Sequence, residues 1–539
     1  MKTARSTHPG PGVRALSKVP GGSVRAGKLG ALALQALLIS LAVALVAPCS
    51  NAQAPALWGE LEAGPYPVGF KFIYGLDYSR GWKATEDSDG YPQAEGRGRP
   101  VRVSVWYPAA RRGGRMLYRD YLPTTARGAE FAELNRLLEK RDAGNLRGNL
   151  KAEEFDALMS ARTAASQNAP PRKGAFPLVV YSAGLNNSTQ DNVVLCEYLA
   201  SHGYVVITVP QLGTTSLGVD LKFPSPAELE TQILDLQFAV GAVRDLPNVG
   251  RARLGVIGYS VGGVAALNLA LRNSDVGALV TLDPTFGVRQ YINLATETPY
   301  YRPTNLRVPW LYFYRAEPST NLAVLDAMKY SNRYRLETAG MFHQDFSSYP
   351  MYAAQSAVAQ SRTPETAKRG YQTVCRYVLN FFDAQLKRDG RGAEFVARGP
   401  RENGVAANIA KAEVINALRV PPTEEKFLSV LERQGFEQAL KLYNDNRAQD
   451  PRQPILSEDF LNQLGYRLKN QNRLAEAIEI FKLNVEAYPA SANVYDSLGE
   501  AYMAAGDREM AIKFYERAVE LNPDNRDAVE ALRKLRGSR

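Results

Sequence analysis

The central part of this chain alternates short apolar runs with helical stretches. The apolar runs are typical of buried strands, and they lie at residues 176–181, 204–209, 254–257, 276–282 and 310–314. The intervening residues have the composition and spacing of helices, at 191–201, 226–246 and 264–273, and a last helix at 368–387 closes the region near residue 400. Such alternation predicts an α/β fold, with a doubly wound, mostly parallel sheet covered by helices on both faces.

The residues before this region carry one strand pattern and one long insertion. Residues 99–107 alternate valines with polar residues, which indicates a half-buried strand. Residues 115–170 are polar and helical in character, with the two strongest helix patterns at 131–140 and 152–161. The insertion is interpreted either as a surface elaboration or as a cap over an active site.

Toward the C-terminus the hydrophobic pattern repeats every 34 residues. Seven positions match between residues 458–491 and residues 492–525, namely Leu461/Tyr495, Leu464/Leu498, Gly465/Gly499, Leu468/Tyr502, Ala477/Ala511, Phe481/Tyr515 and Pro489/Pro523. Small Gly and Ala residues let paired helices approach, and this pattern is that of tetratricopeptide repeats. With a degenerate unit at 424–451 and a terminal helix at 526–535, residues 424–539 are predicted to form an all-α solenoid.

This solenoid suggests a module that binds a protein or peptide partner, although so few repeats could instead form a stabilising or dimerising appendage. Residues 401–423 contain Pro421-Pro422 and are predicted to be a linker. The sheet region is therefore expected to occupy residues 55–400.

The first 54 residues have the features of an export signal. They carry six Lys or Arg and no acidic residue, followed by an apolar run at 29–47. Ala52-Gln53-Ala54 predicts cleavage after Ala54 and a periplasmic or secreted protein. An uncleaved membrane anchor is the alternative, since the apolar run approaches the length that spans a bilayer. Lipid attachment at Cys49 is disfavoured by Pro48.

Charge, cysteine and histidine counts narrow the function. The net charge of +10 falls to +4 without the six basic residues of the leader, so no nucleic-acid partner is indicated. The three cysteines do not suggest a disulfide framework. We expect Cys196 and Cys375 to be buried thiols, and a disulfide between them is the alternative. With three histidines in the chain, no metal site or other cofactor is predicted.

Residues 258–262 read Gly-Tyr-Ser-Val-Gly and lie between a strand pattern and a helix pattern. This G-x-S-x-G sequence in that context is a nucleophile elbow, in which the glycines permit a sharp turn and Ser260 is exposed at its top. Ser260 is the candidate nucleophile.

A serine hydroxyl becomes a good nucleophile only when a base takes its proton, and the chain has three histidines that could serve as this base. His8 belongs to the leader, and His202 lies in a turn before a strand, where a structural role is expected. His343 follows the predicted last strand at 334–337, where a base would have to lie. His343 is therefore the predicted base.

The acid that orients His343 should lie between Ser260 and the histidine in the chain. Asp283 and Glu317 both end strand patterns, and Asp283 is preferred because its side chain is shorter and stiffer. Backbone N–H groups of Val261 and Leu185 are the predicted oxyanion donors, with Gly184 next in preference to Leu185.

Several segments occur in an order that resembles a known family. The segments RPVRVSVWYPA, VVYSAGL, ASHGYVV, GYSVGG, LDP and HQDFS resemble the platelet-activating-factor acetylhydrolase group of secreted α/β-hydrolases, which is similar to the dienelactone hydrolases. The resemblance covers about residues 60–390. It implies Asp283 as the acid and Leu185 and Val261 as the oxyanion donors.

Two departures limit what the resemblance implies about the substrate. The family often has His-Gly where this chain has Ala183-Gly184, and dienelactone hydrolases use a cysteine where this chain has Ser260. The hypothesis is an exported serine hydrolase that cleaves small or lipid-like carboxylic esters through an acyl-enzyme. A peptidase or amidase of the same fold, or a non-catalytic binding scaffold, are the alternatives.

Overall fold

The computed structural model describes residues 55–537, with gaps at 87–91, 96–97, 123–127, 217, 219–220, 252, 354–362 and 452. Residues 1–54, with the predicted leader and its cleavage site, lie outside the described residues. Within the described part of the chain, no helix combines the length and the apolar character that crossing a membrane requires.

Eleven strands of the described chain form one mixed sheet, in the order β13-β12-β11-β10-β9-β7-β8-β4-β1-β6-β5. The central strands from β8 to β12 run parallel, whereas β1 and β4, and β12 and β13, pair antiparallel. The strand bounds are β1 Val68–Asp77, β2 Lys83–Glu86, β3 Pro92–Glu95, β4 Arg99–Pro108, β5 Arg115–Leu117, β6 Arg162–Gln167, β7 Leu178–Ser182, β8 Val205–Val209, β9 Leu254–Tyr259, β10 Val276–Leu282, β11 Trp310–Arg315, β12 Arg333–Thr338 and β13 Ile409–Ile415.

Helices cover both faces of this sheet. Successive strand residues pack into opposite clusters: Val179 belongs to the cluster with α3 and α8, and Val180 to the cluster with α4 and α5. The helices of this region are α1 Ala129–Asn149, α2 Ala152–Ser160, α3 Val193–Ser201, α4 Pro226–Val243, α5 Gly262–Arg272, α6 Asn293–Thr296, α7 Ala323–Ala327, α8 Pro364–Leu386 and α9 Gly390–Ala397. The doubly wound α/β sheet predicted from the alternation is thus confirmed. Cys196 and Cys375 are buried free thiols.

The insertion at 115–170 contributes to the sheet as well as to its cover. The two predicted helices are present as α1 and α2. In addition, β5 and β6 extend the sheet beyond β1, with Val68 opposite Ala165 in the parallel pair β1–β6. Because β5 has only three residues and β6 is mostly polar, neither carries a recognisable strand pattern, which explains why only the helices were expected.

The last strand corrects the predicted linker. Residues 409–415, within the segment 401–423, form β13 and pair antiparallel with β12, with Arg335 opposite Glu413. A strand at the border of a sheet has one neighbour and one exposed side, so its sequence IAKAEVI carries few signals of burial. The sheet therefore continues past residue 400.

The C-terminal helices stack in antiparallel pairs. Their bounds are α10 Glu424–Gln434, α11 Phe436–Arg447, α12 Glu458–Asn470, α13 Leu474–Ala487, α14 Ala492–Ala504, α15 Arg508–Leu521 and α16 Arg526–Gly537. A Cβ at Gly465 would lie 2.5 Å from the ring of Phe481, and one at Gly499 would lie 3.1 Å from the ring of Tyr515. The small residues of the repeat thus let the paired helices approach, as the pattern predicts, and an all-α solenoid follows the sheet.

Candidate active site

Ser260 lies in the sharp turn between β9 and α5. Its φ of +55° is in the left-handed region, which a non-glycine residue adopts only when the surrounding structure enforces it. A Cβ at Gly262 would overlap the carbonyl oxygens of Ser182 and Ala183, and a Cβ at Gly258 would lie 2.6 Å from that of Ala266. Gly262 is therefore required for the close passage of the turn beside β7, and Gly258 for the close approach of β9 to α5.

His343 is within hydrogen-bond distance of Ser260. Its Nε2 lies 2.8 Å from Ser260 Oγ, at the start of the short helical turn His343–Phe346 that follows β12. This contact is the geometry in which a neutral imidazole can accept the serine proton.

Asp283 holds the other nitrogen of the imidazole. His343 Nδ1 lies 2.6 Å from Asp283 Oδ2, and the same oxygen accepts a hydrogen bond of 2.8 Å from Arg315 Nε. Asp283 follows β10 directly, and its backbone N–H donates to Phe313 O at 3.0 Å. Its side chain is 12% exposed and that of His343 is 40% exposed. A carboxylate that is fixed and shielded in this way can orient the ring.

Glu317, the other predicted acid, is placed differently. Its carboxylate pairs with Arg315, its side chain is 41% exposed, and no hydrogen bond joins it to His343 within the described residues. The structure therefore brings Ser260, His343 and Asp283 together and leaves Glu317 outside this array.

Two further residues contact the array and were not among the residues predicted from the sequence. Arg315 ends β11 and is a partner of both Asp283 and Glu317. The ring of Tyr259 stacks on the ring of His343, with centroids 5.1 Å apart, and its hydroxyl donates to His343 O at 3.0 Å. The position of Tyr259, next to the nucleophile, was the one available signal of its role.

The predicted oxyanion donors have free N–H groups on the two loops that the sequence indicated. Among the described residues, the backbone N–H groups of Leu185 and Val261 donate to no protein acceptor. The N–H of Gly184 instead donates to Asp191 Oδ2 at 3.0 Å, so the second choice for this donor is already occupied. Val261 also precedes the first residue of α5, where the helix dipole favours negative charge.

Asp191 is a buried carboxylate beside these loops. Its Oδ2 also accepts a hydrogen bond of 2.8 Å from the Tyr181 hydroxyl. Burial raises the pKa of Asp191 to about 6, against the lowering effects of Gly184, Tyr181 and His343. Since the sequence offers no signal for this carboxylate, it was not among the candidates.

A pocket of about 240 Å³ lies beside the array, and we call it the side pocket. It is lined by Asn145, Leu146, Asn149, Asn187, Gln190, Asp191, Tyr259, Gln344, Ser347, Tyr349 and Tyr352. Three of these residues belong to α1, so the insertion forms one wall of a pocket next to the array. This contact favours the interpretation of the insertion as a cap.

His202 lies at the end of α3, away from the array. Its Nδ1 is 2.9 Å from Tyr198 O, its ring packs on that of Tyr198, and burial lowers its pKa. These contacts are those of a packed structural histidine.

A mostly parallel sheet with a serine elbow after one strand, an acid after the next strand and a histidine after the last parallel strand defines the α/β-hydrolase class. The order of these residues along the chain is Ser260, Asp283, His343. The fold class predicted from the sequence is thereby confirmed.

Comparison with known families agrees with this class. Residues 61–212 match the family model of platelet-activating factor acetylhydrolase, isoform II, and residues 146–310 match that of chlorophyllase. Residues 492–525 match the tetratricopeptide repeat. The resemblance to the acetylhydrolase group and the presence of the repeat are therefore confirmed, although neither hydrolase match includes His343.

Individual relatives are similar over shorter stretches. Cutinase 2 of Thermobifida cellulosilytica is 32% identical over 115 residues, which cover 21% of this chain and 42% of the relative. Chlorophyllase type 0 of Chenopodium album is 26% identical over 157 residues, 26% of this chain and 44% of the relative. The matched stretch thus spans less than half the length of these curated relatives.

Among solved structures, a ferulic acid esterase from Streptomyces cinnamoneus matches with a TM-score of 0.47 and 21% identity. The match covers 65% of this chain and 97% of that structure.

Proposed function

We propose that this protein is a serine hydrolase that cleaves carboxylic esters through an acyl-enzyme. The observation that carries the proposal is the continuous hydrogen-bonded array, with 2.8 Å between Ser260 Oγ and His343 Nε2 and 2.6 Å between His343 Nδ1 and Asp283 Oδ2. An array of this geometry converts a weak hydroxyl into a nucleophile at neutral pH.

In the acylation step, Ser260 Oγ attacks the ester carbonyl carbon and its proton passes to His343 Nε2. The carbonyl oxygen becomes negative and is bound by the free N–H groups of Leu185 and Val261. In such sites each donor stabilises the transition state by roughly 3 kcal/mol. The bond to the alcohol oxygen then breaks, and His343 returns the proton to the leaving alcohol.

In the deacylation step, water attacks the acyl carbon while His343 accepts its proton. The acid leaves when the bond to Ser260 Oγ breaks and His343 returns the proton to the serine. Asp283 keeps Nδ1 protonated in both steps and stabilises the imidazolium by its charge. Protons and charges balance over the cycle, with water as the single co-reactant.

The similarity to proteins named cutinase and chlorophyllase supports an ester substrate over an amide. The array alone serves either substrate, because the same steps cleave both. A parallel assay on a p-nitrophenyl ester and the corresponding p-nitroanilide separates the two: a higher kcat/KM for the anilide would identify a peptidase or amidase instead.

The test of the nucleophile is labelling of the purified full chain with a fluorophosphonate probe, beside Ser260→Ala. We expect labelling of the unchanged protein, none of the variant, and loss of ester turnover by several orders of magnitude, about 10⁶-fold in comparable arrays. Absence of labelling in folded, unchanged protein would contradict the hydrolase proposal and favour a binding scaffold.

We further propose export, with cleavage after Ala54, from the leader features of the sequence. The mature protein is then expected to begin at Pro55. Intact-mass measurement on protein recovered outside the cytoplasm checks this, and a mass that includes residues 1–54 would indicate an uncleaved anchor.

The repeats are proposed to bind a protein or peptide partner, because stacked repeats of this family present a continuous helical surface. Sedimentation of the full chain over a range of concentrations tests the alternative. A monomer at all concentrations is expected, whereas a concentration-dependent dimer would identify the repeats as a dimerising appendage.

A further inference from the structure

The N–H of Leu185, one of the two proposed oxyanion donors, belongs to a tight turn after β7. The N–H of Asn187 donates to Gly184 O at 3.1 Å and closes this turn. Gly184 O and the Leu185 N–H belong to the same planar peptide group, and in a trans peptide they point in opposite directions. Because the oxygen faces into the turn, the Leu185 N–H faces out of it. The closure of the turn therefore sets the direction of this donor.

Asn186, the third residue of the turn, has a left-handed backbone conformation with a φ of +56°. Turns with a positive φ at this position favour glycine or asparagine, because other side chains are strained there. The N–H of Asn186 also donates to Gln211 Oε1 at 2.9 Å, in the loop after β8. The left-handed residue next to Leu185 is thus held by a neighbouring loop.

The side chain of Asn186 joins the turn to residue 221. Its Nδ2 donates to Leu221 O at 2.7 Å, and its Oδ1 accepts from the Leu221 N–H at 2.8 Å. Since a backbone carbonyl only accepts and a backbone N–H only donates, these partners fix the orientation of the amide. In addition, Nδ2 of Asn145, a residue of α1 that lines the side pocket, donates to Asn186 O at 3.0 Å. Three separate segments of the chain therefore hold Asn186.

We propose that Asn186 is a positioning residue that keeps the Leu185 N–H directed at the oxyanion, through its left-handed backbone and its paired hydrogen bonds with Leu221. The inference rests on the proposed hydrolase function and deepens it by naming the residue that fixes one oxyanion donor. A displacement of about 1 Å in a reacting site costs about 10²-fold in rate, so a donor on a loop has to be held firmly.

The experiment compares p-nitrophenyl butyrate with its thionoester, in which sulfur replaces the carbonyl oxygen. Sulfur is a weak hydrogen-bond acceptor, so the thionoester gains little from the oxyanion donors. Misalignment of Leu185 therefore slows the ester selectively, whereas general damage to the array slows both substrates. The quantity measured is the ratio of kcat/KM for the ester to kcat/KM for the thionoester, with the full chain.

Two variants separate the side chain of Asn186 from its backbone. Asn186→Gly accepts the left-handed φ and removes only the side-chain hydrogen bonds, whereas Asn186→Ala also strains the turn. We expect the ratio to fall by roughly five-fold in Asn186→Gly and by about ten- to a hundred-fold in Asn186→Ala, below the loss for complete removal of a donor.

Asn168→Ala is the matched control. Asn168 is also an asparagine with a left-handed φ, +52°, and it follows β6 directly. Three strands lie between β6 and β7 in the sheet, so this turn is remote from the oxyanion loop. The ratio should stay as it is in Asn168→Ala.

The outcomes separate the positioning role from the hydrolase proposal. An unchanged ratio in folded Asn186→Gly overturns the role and leaves the hydrolase in place. Equal slowing of both substrates overturns it too, because Asn186 would then support the fold and not the donor. If Asn186→Ala fails to fold, Asn186→Gly still decides. If the unchanged protein does not cleave the ester, the hydrolase proposal fails, and the positioning role fails with it.

Discussion

At the scale of single residues, Asp283 is shared between His343 and Arg315. Oδ2 accepts from both, at 2.6 Å and 2.8 Å, so two donors fix one oxygen. These two contacts hold the carboxylate of Asp283 in place. In the described part of the chain, Glu317 forms no hydrogen bond with His343 and instead forms an ion pair with Arg315.

The choice of acid can be tested by comparing Asp283→Asn with Glu317→Gln on a p-nitrophenyl ester. Asp283→Asn should lower kcat by about 10⁴-fold, because an amide does not hold Nδ1 in its protonated form. Glu317→Gln should change kcat less than about two-fold, since exposed ion pairs contribute little. A larger loss for the Glu317 change would make Glu317 the acid.

Arg315 is expected to act as a positioning residue. Arg315→Leu removes one of the two donors on Asp283 Oδ2, and we expect kcat to fall by roughly ten-fold while KM stays within about two-fold. Steady-state kinetics at saturating ester checks this split, with Arg244→Leu as a control for loss of a similar cation from a surface pair with Asp275. A rise in KM without a change in kcat would place Arg315 in substrate binding.

We expect the buried carboxylate of Asp191 to lower the free energy of unfolding by an amount that depends on pH. Its pKa is about 6 in the folded protein against an ordinary value of 3.8, so the folded state holds the proton more tightly than the unfolded state. The cost is therefore fully present above pH 6 and is removed as the pH falls from 6 toward 3.8. At about 1.36 kcal/mol per pH unit, it amounts to roughly 3 kcal/mol.

Asp191→Asn should remove this cost and keep both hydrogen bonds, since Tyr181 and Gly184 donate to one oxygen. Urea unfolding at several pH values should show a stability gain of the variant that grows from pH 4 to pH 6 and is constant above. The same difference between the two proteins at pH 4 and pH 7.5 would contradict the assignment.

The sequence was sufficient to nominate Ser260, His343 and Asp283, and the reasons are local. A short motif marks the serine, few histidines compete, and the acid ends a strand pattern. Arg315, Tyr259 and Asp191 could not be found in this way. Their roles depend on which atoms face each other after the loops fold, and no spacing along the chain encodes that.

At the scale of elements, the strand–turn–helix unit β9–α5 depends on its glycines. Gly262→Ala would push a Cβ into the backbone carbonyls of Ser182 and Ala183, and we expect a loss of about 3 kcal/mol or more in the free energy of unfolding. Gly241→Ala is the matched control. It lies inside α4 with open space around it, and it should stabilise the protein by roughly 0.5–1 kcal/mol.

Thermal or urea unfolding of both alanine variants measures this difference. A Gly262→Ala protein as stable as the unchanged one would show that the turn can move away from β7.

The buried central strands were predictable from the sequence because both of their faces are apolar. In contrast, β5, β6 and β13 depend on pairing with a neighbour, and this dependence leaves little trace in their composition.

At the scale of the whole molecule, the segment between the sheet and the repeats is tied to both. The N–H of Leu418 donates to Lys329 O at 2.8 Å, and that of Arg419 donates to Gln449 Oε1 at 2.6 Å. Lys329 also pairs with Asp450. The segment predicted as a linker therefore connects the two parts through fixed contacts.

Lys329→Ala should loosen this junction. We expect faster hydrogen exchange at residues 416–420, since the ion pair that holds the two parts together is lost. Lys482→Ala, which removes an exposed pair with Glu479 inside the repeats, should leave exchange in that segment unchanged. Equal exchange in both variants would mean that the backbone contacts alone maintain the junction.

The pairing of β13 with β12 has a consequence for shortened versions of the protein. If the chain ended at residue 400, where the apolar pattern stops, the hydrogen-bonding groups of β12 would be left open. An open strand of this kind recruits strands from other molecules, and self-association in solution follows. In the full sheet, Lys411 and Glu413 lie on the outermost strand, where charged side chains discourage such recruitment. We therefore expect β13 to protect the sheet against such association.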